Sequence, residues 1–524
     1  MSAEVHPFPT DHSAPNHPVI RLQPGQIHLA VDAAERELSR LGKIYQRGGV
    51  IVSIINDPAT GDTRIENITA QTLLVAMSAA MAWEQYDARK SRWVRVDPPS
   101  RHVNVLYESN SYTHLPVLSG LTHQPYLRAD GSLMSESRYD PTSCMYGVFL
   151  ADDFDIPAAP SRSQAESALD MLESLLEEFS FATSVDKSAA MCAVLTAAVR
   201  PTLTTAPMFH VKAHMPGSGK SYLCELFTAF ATPTHGSPTG FPANEEECSK
   251  QLLAELMRSP AVIEFDNLTT DLIAYRSLCT ALTSEHISGR ILGSSKTVTV
   301  TTRSLILSSG NNVGPVKDMT RRCVTINLSP QCESPAARSY QRPNLVRDVL
   351  RQRGIYVSAV FTIIRAWISA GRPVTECKPL SSFAHWSDLC RQPLLWLGRP
   401  DPVASVFACM EEDPDRELLG RFLKAWHATF GKSPTMVRDA VGQASVYNGN
   451  HDLREVLHDI ADERGEINRR RLGWWIKHHA GQIVDGLRIT KVPGNGSAER
   501  WSIGVVDKPD PVLSVSPVSL PPDF

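Results

Sequence analysis

The chain of 524 residues has little net charge: 52 Lys and Arg stand against 56 Asp and Glu, a balance of −4. No global field therefore draws it to nucleic acid, and any polyanion-binding surface has to be local. It also lacks an apolar run long enough for a bilayer. The longest, Ala189–Val199, stops well short of the ~20 residues a spanning helix needs and reads as a buried helix, so no membrane partner is expected. Ten cysteines are present, but none form a C-x-x-C pair. That excludes the commonest structural-zinc and redox spacings and, with no secretory segment, points to the reducing cytoplasm rather than to a disulfide framework. The 42% hydrophobic and 21% charged fractions are those of an ordinary globular protein. The length exceeds one core and predicts about three or four domains.

Against these absences stands one strong local signal, His214-Met-Pro-Gly-Ser-Gly-Lys-Ser221. It lies between an apolar strand-like run, Met208–Val211, and a helical pattern from Tyr222 to Phe230. Pro216, Gly217, Ser218 and Gly219 let the backbone curl into a nest of N–H groups around phosphates. Lys220 reaches the β- and γ-oxygens, and Ser221 offers a hydroxyl to Mg²⁺. The expected ligands are ATP and Mg²⁺. The pattern normally has Gly where this chain has His214.

Further along, Pro260–Asp266 reads as a short buried strand ending in an acid, which makes Asp266 the expected metal-holding carboxylate. The residue after it is Asn267, so the water-activating base is open. Glu264, two positions upstream and so on the same strand face, is a candidate; pairing with a neighbouring cation explains it equally well. A third strand, Arg303–Ser309, runs into Gly310-Asn311-Asn312. A neutral amide at Asn311 both donates and accepts hydrogen bonds, and so suits a sensor of γ-phosphate and attacking water. Arg321 or Arg322, ahead of the strand-like Cys323–Leu328, would reach nucleotide bound by a neighbouring subunit.

Taken together, Gly217–Ser221, Phe265–Asn267, Ser309–Asn312 and Asp318–Arg322 resemble the AAA+ and superfamily 3-like helicase module of phage, plasmid and integrated-element primase-helicases. Segments Arg365–Pro373, Ser382–Ser387 and Leu395–Asp401 extend the likeness, which is most specific over 207–401. The resemblance implies an α/β ATPase core of the P-loop type working as a ring, expected to be a homo-hexamer, with a possible separate primase. Only about 180 residues precede the core, and Asp153 and Asp155 stand alone without the rest of a polymerase-like metal site. Alternation around Gly293–Ser295 reads as a β-hairpin. The resembled helicases push such a hairpin into the ring's pore, where Arg290 and Lys296 would grip single-stranded DNA; a surface hairpin with two solvated cations is the plainer account.

The expected organisation is a disordered tail (1–19), an α+β domain (20–150), a linker and helix (151–183), the ATPase core (184–330), a helical region (331–413), a compact C-terminal domain (415–506) and a second tail (507–524). In the C-terminal domain, helical patterns near 416–430, 452–462 and 468–479 precede two strand patterns, Leu487–Val492 and Arg500–Val505, an order that suggests a winged helix. Between 464 and 508 nine Lys or Arg face four Asp or Glu. Arg469, Arg470 and Arg471, with Lys491 and Arg500, are the expected contacts to duplex or forked DNA. Of two weaker signals, a half-buried strand with a snorkelling face explains the aromatic-basic cluster from Tyr86 to Arg95 about as well as single-strand binding does, and core packing explains the pair His385-Trp386 better than catalysis. The reading that results is an ATP-dependent DNA helicase or translocase of a phage or integrated mobile element, acting in replication. An initiator or loader that does not unwind processively, and a weakly hydrolysing DNA-bound ATP switch, are the alternatives.

Overall fold

The computed structural model describes residues 17–56, 61, 63–109, 111–291, 296–332, 335, 340–411, 414–446, 450–493 and 499–506. Most of both expected tails, the hairpin turn Gly293–Ser295 and the Gly494–Gly496 turn lie outside the described residues. A strand at Val19–Leu22 starts on the last residue of the first expected tail and pairs in parallel with Ala82–Asp87.

The chain divides into two compact units, 1–407 and 408–524. At the centre of the first is a four-stranded sheet of β1 (Met208–Ala213), β2 (Val262–Leu268), β3 (Leu305–Asn311) and β4 (Cys323–Leu328). Its spatial order is β2-β3-β1-β4, and every pairing is parallel. Parallel neighbours need crossovers. These begin with α1 (Lys220–Ala231) after β1, α2 (Glu245–Arg258) before β2 and α3 (Arg276–Thr283) after it. Central β1 and β3 are buried on both faces, which is why they read as unbroken apolar runs rather than as alternation. All four strands run the same way, so their carboxyl ends open at one edge of the sheet, where α/β sheets place their ligands.

Residues 19–150 form small sheets packed with helices Ile27–Arg40, Ala70–Ala80 and Ser100–Tyr107, the α+β mixture expected. This region is built onto the parallel-sheet core. Buried Arg47 donates to the Leu256 carbonyl at 2.9 Å, and Gly48, at φ +56°, presses its backbone so closely on Thr299 that a Cβ would have no room. The helix expected within 151–183 runs from Arg162 to Glu173, under a Ser161/Gln164 capping box, and tightens into a single 3₁₀ turn. Ala189–Val199 is the buried core of helix Ser184–Val199.

The second unit has helices Pro414–Phe430, Val437–Ala444, His451–Ala461 and Arg469–His479. They pack on an antiparallel sheet ordered Thr435–Met436, Arg500–Val505, Leu487–Val492, Ile483–Val484. Its core is apolar, around Phe422, Trp426, Leu457, Leu472 and Trp501. The short helix Val437–Ala444 was not expected; eight residues give too few turns for a periodic signal. The basic helix is therefore the fourth of the unit rather than its third. Among the described residues, no helix is long and apolar enough to cross a membrane.

Candidate functional site

The chain leaves β1 at Ala213 and enters α1 at Lys220 through a loop whose tight curvature rests on two glycines. Gly217 (φ +72°) and Gly219 (φ +85°) take left-handed conformations that cost a residue with a Cβ about 1–2 kcal/mol each. Gly219 sits at the helix N-cap, so the loop delivers its backbone to the positive end of the α1 dipole. Within the loop the Ser218 hydroxyl donates to the Met215 carbonyl at 2.5 Å.

Lys220 is 7% exposed. Its ammonium donates to Asn311 Oδ1 at 2.7 Å and lies 3.5 Å from the Met215 carbonyl; both partners are neutral. Burial lowers its pKa, and the Asp266 carboxylate works against that shift. Next to it, the Ser221 hydroxyl donates to Asp266 Oδ1 at 2.9 Å, and Ser309 from β3 donates to the same oxygen at 2.5 Å. Ser309 Oγ also accepts the Asn267 N–H at 3.2 Å, where β2 bulges away from β3 and Asn267 turns left-handed at φ +54°. Residues from the loop, β2 and β3 thus converge at the open edge. Hydroxyl and carboxylate oxygens this close make a hard donor pair of the kind Mg²⁺ takes. A buried ammonium whose described hydrogen-bond partners are neutral oxygens suits the charge of a polyphosphate.

Glu264 does share a face of β2 with Asp266, but lower down. Asp266 meets Ser221, while Glu264, 5% exposed, lies beside Cys224, one turn further along α1. Its pKa is pushed up to about 7, first by burial and then by the nearby Asp266 and Glu225 carboxylates, against a hydrogen bond with Cys224 that lowers it. It sits beneath the Ser221/Asp266 pair rather than in the open site.

The two arginines differ. Arg321 is an exposed side chain, ion-paired with Asp318 at 2.6 Å. Arg322 is 9% exposed, pairs with the same Asp318 carboxylate and donates to its carbonyl at 2.9 Å. Only Arg321 presents its guanidinium outward.

The hairpin pairs His286–Arg290 with Thr297–Thr301. Arg290 is exposed. Lys296 is half-buried and partnered: its ammonium pairs with Glu108 at 3.1 Å, donates to the Tyr107 carbonyl at 3.1 Å and lies 4.9 Å from the centre of the Tyr107 ring. The hairpin root is also tied down, Thr301 donating to the Ser119 carbonyl at 2.8 Å. Contacts to a region some 190 positions away cannot be read from hairpin alternation.

In the second unit Arg469, Arg470 and Arg471 are exposed at the start of their helix. The Asn468 side chain caps it, accepting from the Arg470 and Arg471 amides. Arg500 is exposed as well, whereas Lys491 shares the Glu499 carboxylate with Lys477, at 2.9 and 3.0 Å. Trp475 packs on Phe422 and His479. Its neighbour Trp474 is 66% exposed, stacked on His478. Trp93 packs edge-on to exposed Tyr86 under Arg21, and Trp386 is fully buried, as core packing requires, donating to Thr196 at 2.9 Å.

Sequence reasoning gave no role to Ser309, whose hydroxyl joins Asp266 to Asn267. It also missed the histidines of β1 and its loop, which reach across to β3; the only available signal was the odd His at a glycine position.

No family model and no curated protein matches the chain. Among solved structures it is similar to the apo C-terminal region of NrS-1, with a TM-score of 0.34 and 10% identity over 87% of this chain and 96% of that one. It is similar also to the active helicase Cch of SCCmec type IV, at 0.30 and 12% over 89% and 98%. For the JCV helicase the TM-score is 0.20, with 14% identity over 45% of this chain and 67% of that one. Likeness this low describes what the chain is similar to, a set that includes helicases, and the functional argument rests on the site.

Proposed function

We propose that the protein is an ATP-dependent DNA helicase or translocase that works as a ring in the replication of a phage or integrated mobile element. The observation that carries this reading is the convergence of Lys220, Ser221, Asp266 and Asn311 at the carboxyl end of a parallel sheet, with the lysine held by neutral oxygens alone. In this reading the glycine loop is a P-loop, and Ser221 and Asp266 hold Mg²⁺. A Mg²⁺ ion held there would supply charge neutralisation for phosphoryl transfer. Lys220 compensates the remaining charge, and Asn311 orients the attacking water. Arg321, being exposed, is the arginine suited to complete the site of the next subunit in a homo-hexamer. Arg322 serves the fold. Arg290 is the hairpin cation available to a single strand, and the C-terminal unit, read as a winged helix, brings Arg469, Arg470, Arg471 and Arg500 to duplex or forked DNA.

The test is ATP turnover by the full chain with Mg²⁺, with and without single-stranded DNA, followed by strand displacement on a forked duplex. DNA-stimulated turnover with ATP-dependent displacement is the expected outcome. Turnover without displacement would make the protein a loader. Binding with negligible turnover would make it a switch.

A further inference from the structure

The turn that carries Asn311 is fastened to the loop by side chains as well as by the sheet. β1 and β3 run in register from Phe209↔Leu307 to Ala213↔Asn311, and the Asn312 amide donates to the Ala213 carbonyl at 3.1 Å. His214 and Asn312 are the residues that follow the last pair of that ladder. His214 Nδ1 lies 2.7 Å from Asn312 Oδ1. An amide oxygen only accepts, so the imidazole donates from Nδ1. Asn312 holds a left-handed φ of +54°, a conformation asparagine tolerates better than most residues. Gly310 has no space for a Cβ because Val313 folds back over it.

A second histidine reinforces the turn from below. His210, inside β1 and four residues before the loop residue His214, is fully buried. Its Nε2 lies 2.9 Å from the Val313 carbonyl and its Nδ1 2.8 Å from Ser308 Oγ. Burial pushes its pKa down to about 4, so near neutral pH the ring is uncharged, donating to Val313 and accepting from Ser308. Two consecutive asparagines thus hook the two ends of the phosphate loop: Asn312 takes His214 at its start, and Asn311 takes Lys220 at its end.

We propose that His214 is a positioning residue: its bond to Asn312 holds the Gly310–Val313 turn against the loop, so that Asn311 stays aimed at the γ-phosphate position when Lys220 gives it up for nucleotide. This inference rests on the ATPase reading. Its consequence runs against the loop pattern, in which glycine is the usual residue at 214. Restoring glycine should harm this enzyme, because it removes the clasp and frees the turn.

The experiment compares His214→Gly, His214→Asn and Asn312→Ala with wild type in the full chain, measuring kcat and KM for ATP alongside binding of a fluorescent ATP analogue. His214→Gly and Asn312→Ala should each lower kcat about tenfold, since small misplacement of a reacting group costs that much or more. Nucleotide affinity should stay within about threefold, because the loop amides and Lys220 remain. The asparagine variant places an N–H donor where Nδ1 stood and should recover most of the rate. The double variant His214→Gly/Asn312→Ala should be no slower than either single one. A kcat for His214→Gly equal to wild type overturns the clasp, as does an asparagine variant as slow as the glycine one. Loss of analogue binding along with rate would make His214 a loop-folding residue and overturn it too. A wild-type chain that turns over no ATP defeats the ATPase reading itself, and this inference with it.

Discussion

The glycine loop of the first unit and the basic helix of the second hold their cations in opposite ways. Lys220 is nearly buried and touches two neutral oxygens, so a charge already taken out of water waits in a fixed place for an anion. Arg469, Arg470 and Arg471 stand in solvent, and two nearby lysines share the carboxylate of Glu499. The first arrangement is organised for one ligand geometry and loses little to salt; the second is a diffuse field that a Debye length of ~8 Å at physiological salt screens strongly. Counting charges along the sequence treats the two alike. Their environments separate a site that reads shape from a surface that reads only charge.

The largest effect expected from this contrast is at the loop. Lys220→Ala should abolish ATP turnover, and Asp266→Ala should remove the Mg²⁺-dependent activity, each costing on the order of 10³-fold or more in a radiolabelled phosphate-release assay. Wild-type rates in either variant would erase the distinction between the two regions. A smaller effect belongs to the basic helix. Neutralising Arg469, Arg470 and Arg471 together should leave basal turnover intact while flattening the plot of log duplex affinity against log salt, by about 0.9 for each DNA phosphate that the helix no longer neutralises. An unchanged slope would return this face to ordinary solvated surface.

The smallest effect sharpens the comparison by testing burial itself. His123 is buried, and its pKa falls from 6.5 to about 4, through desolvation first and the Arg353 charge second. A depressed folded-state value means the unfolded chain binds the proton more readily. The stability His123 contributes is therefore complete above pH 6.5 and is lost as pH falls toward 4. Thermal melts of wild type and His123→Gln should diverge by a few degrees in how far each midpoint drops between pH 7 and pH 4.5, the wild type dropping further. Parallel curves would show that this ring titrates as if exposed.

Much of the architecture was legible locally. The loop glycines, the strand ending at Asp266 and the strand running into Asn311 each announce themselves within about ten residues, because apolar runs and turn glycines are properties of short segments. Helix His451–Ala461 and strands Leu487–Val492 and Arg500–Val505 fall almost where periodicity put them. Less legible is how segments meet: the region around Gly48 and Tyr107 packs onto the hairpin, and composition carries no record of which surfaces meet.

The amino-acid sequence alone determined that a glycine-rich turn would join a strand to a helix at Lys220, and that acid and amide side chains would end the strands at Asp266 and Asn311; each depends on local backbone preference and hydrophobic period. Tertiary structure alone decided what those side chains face. It sank Glu264 one helical turn below Asp266, committed Lys296 to Glu108, buried Arg322 while leaving Arg321 outside, and brought His214 to Asn312 across 98 positions of chain. The physical reason is register. Which residue lies opposite which is set by how strands align and helices pack over long separations, and one residue's shift in the alignment of β2 would turn Glu264 and Asp266 to the other face.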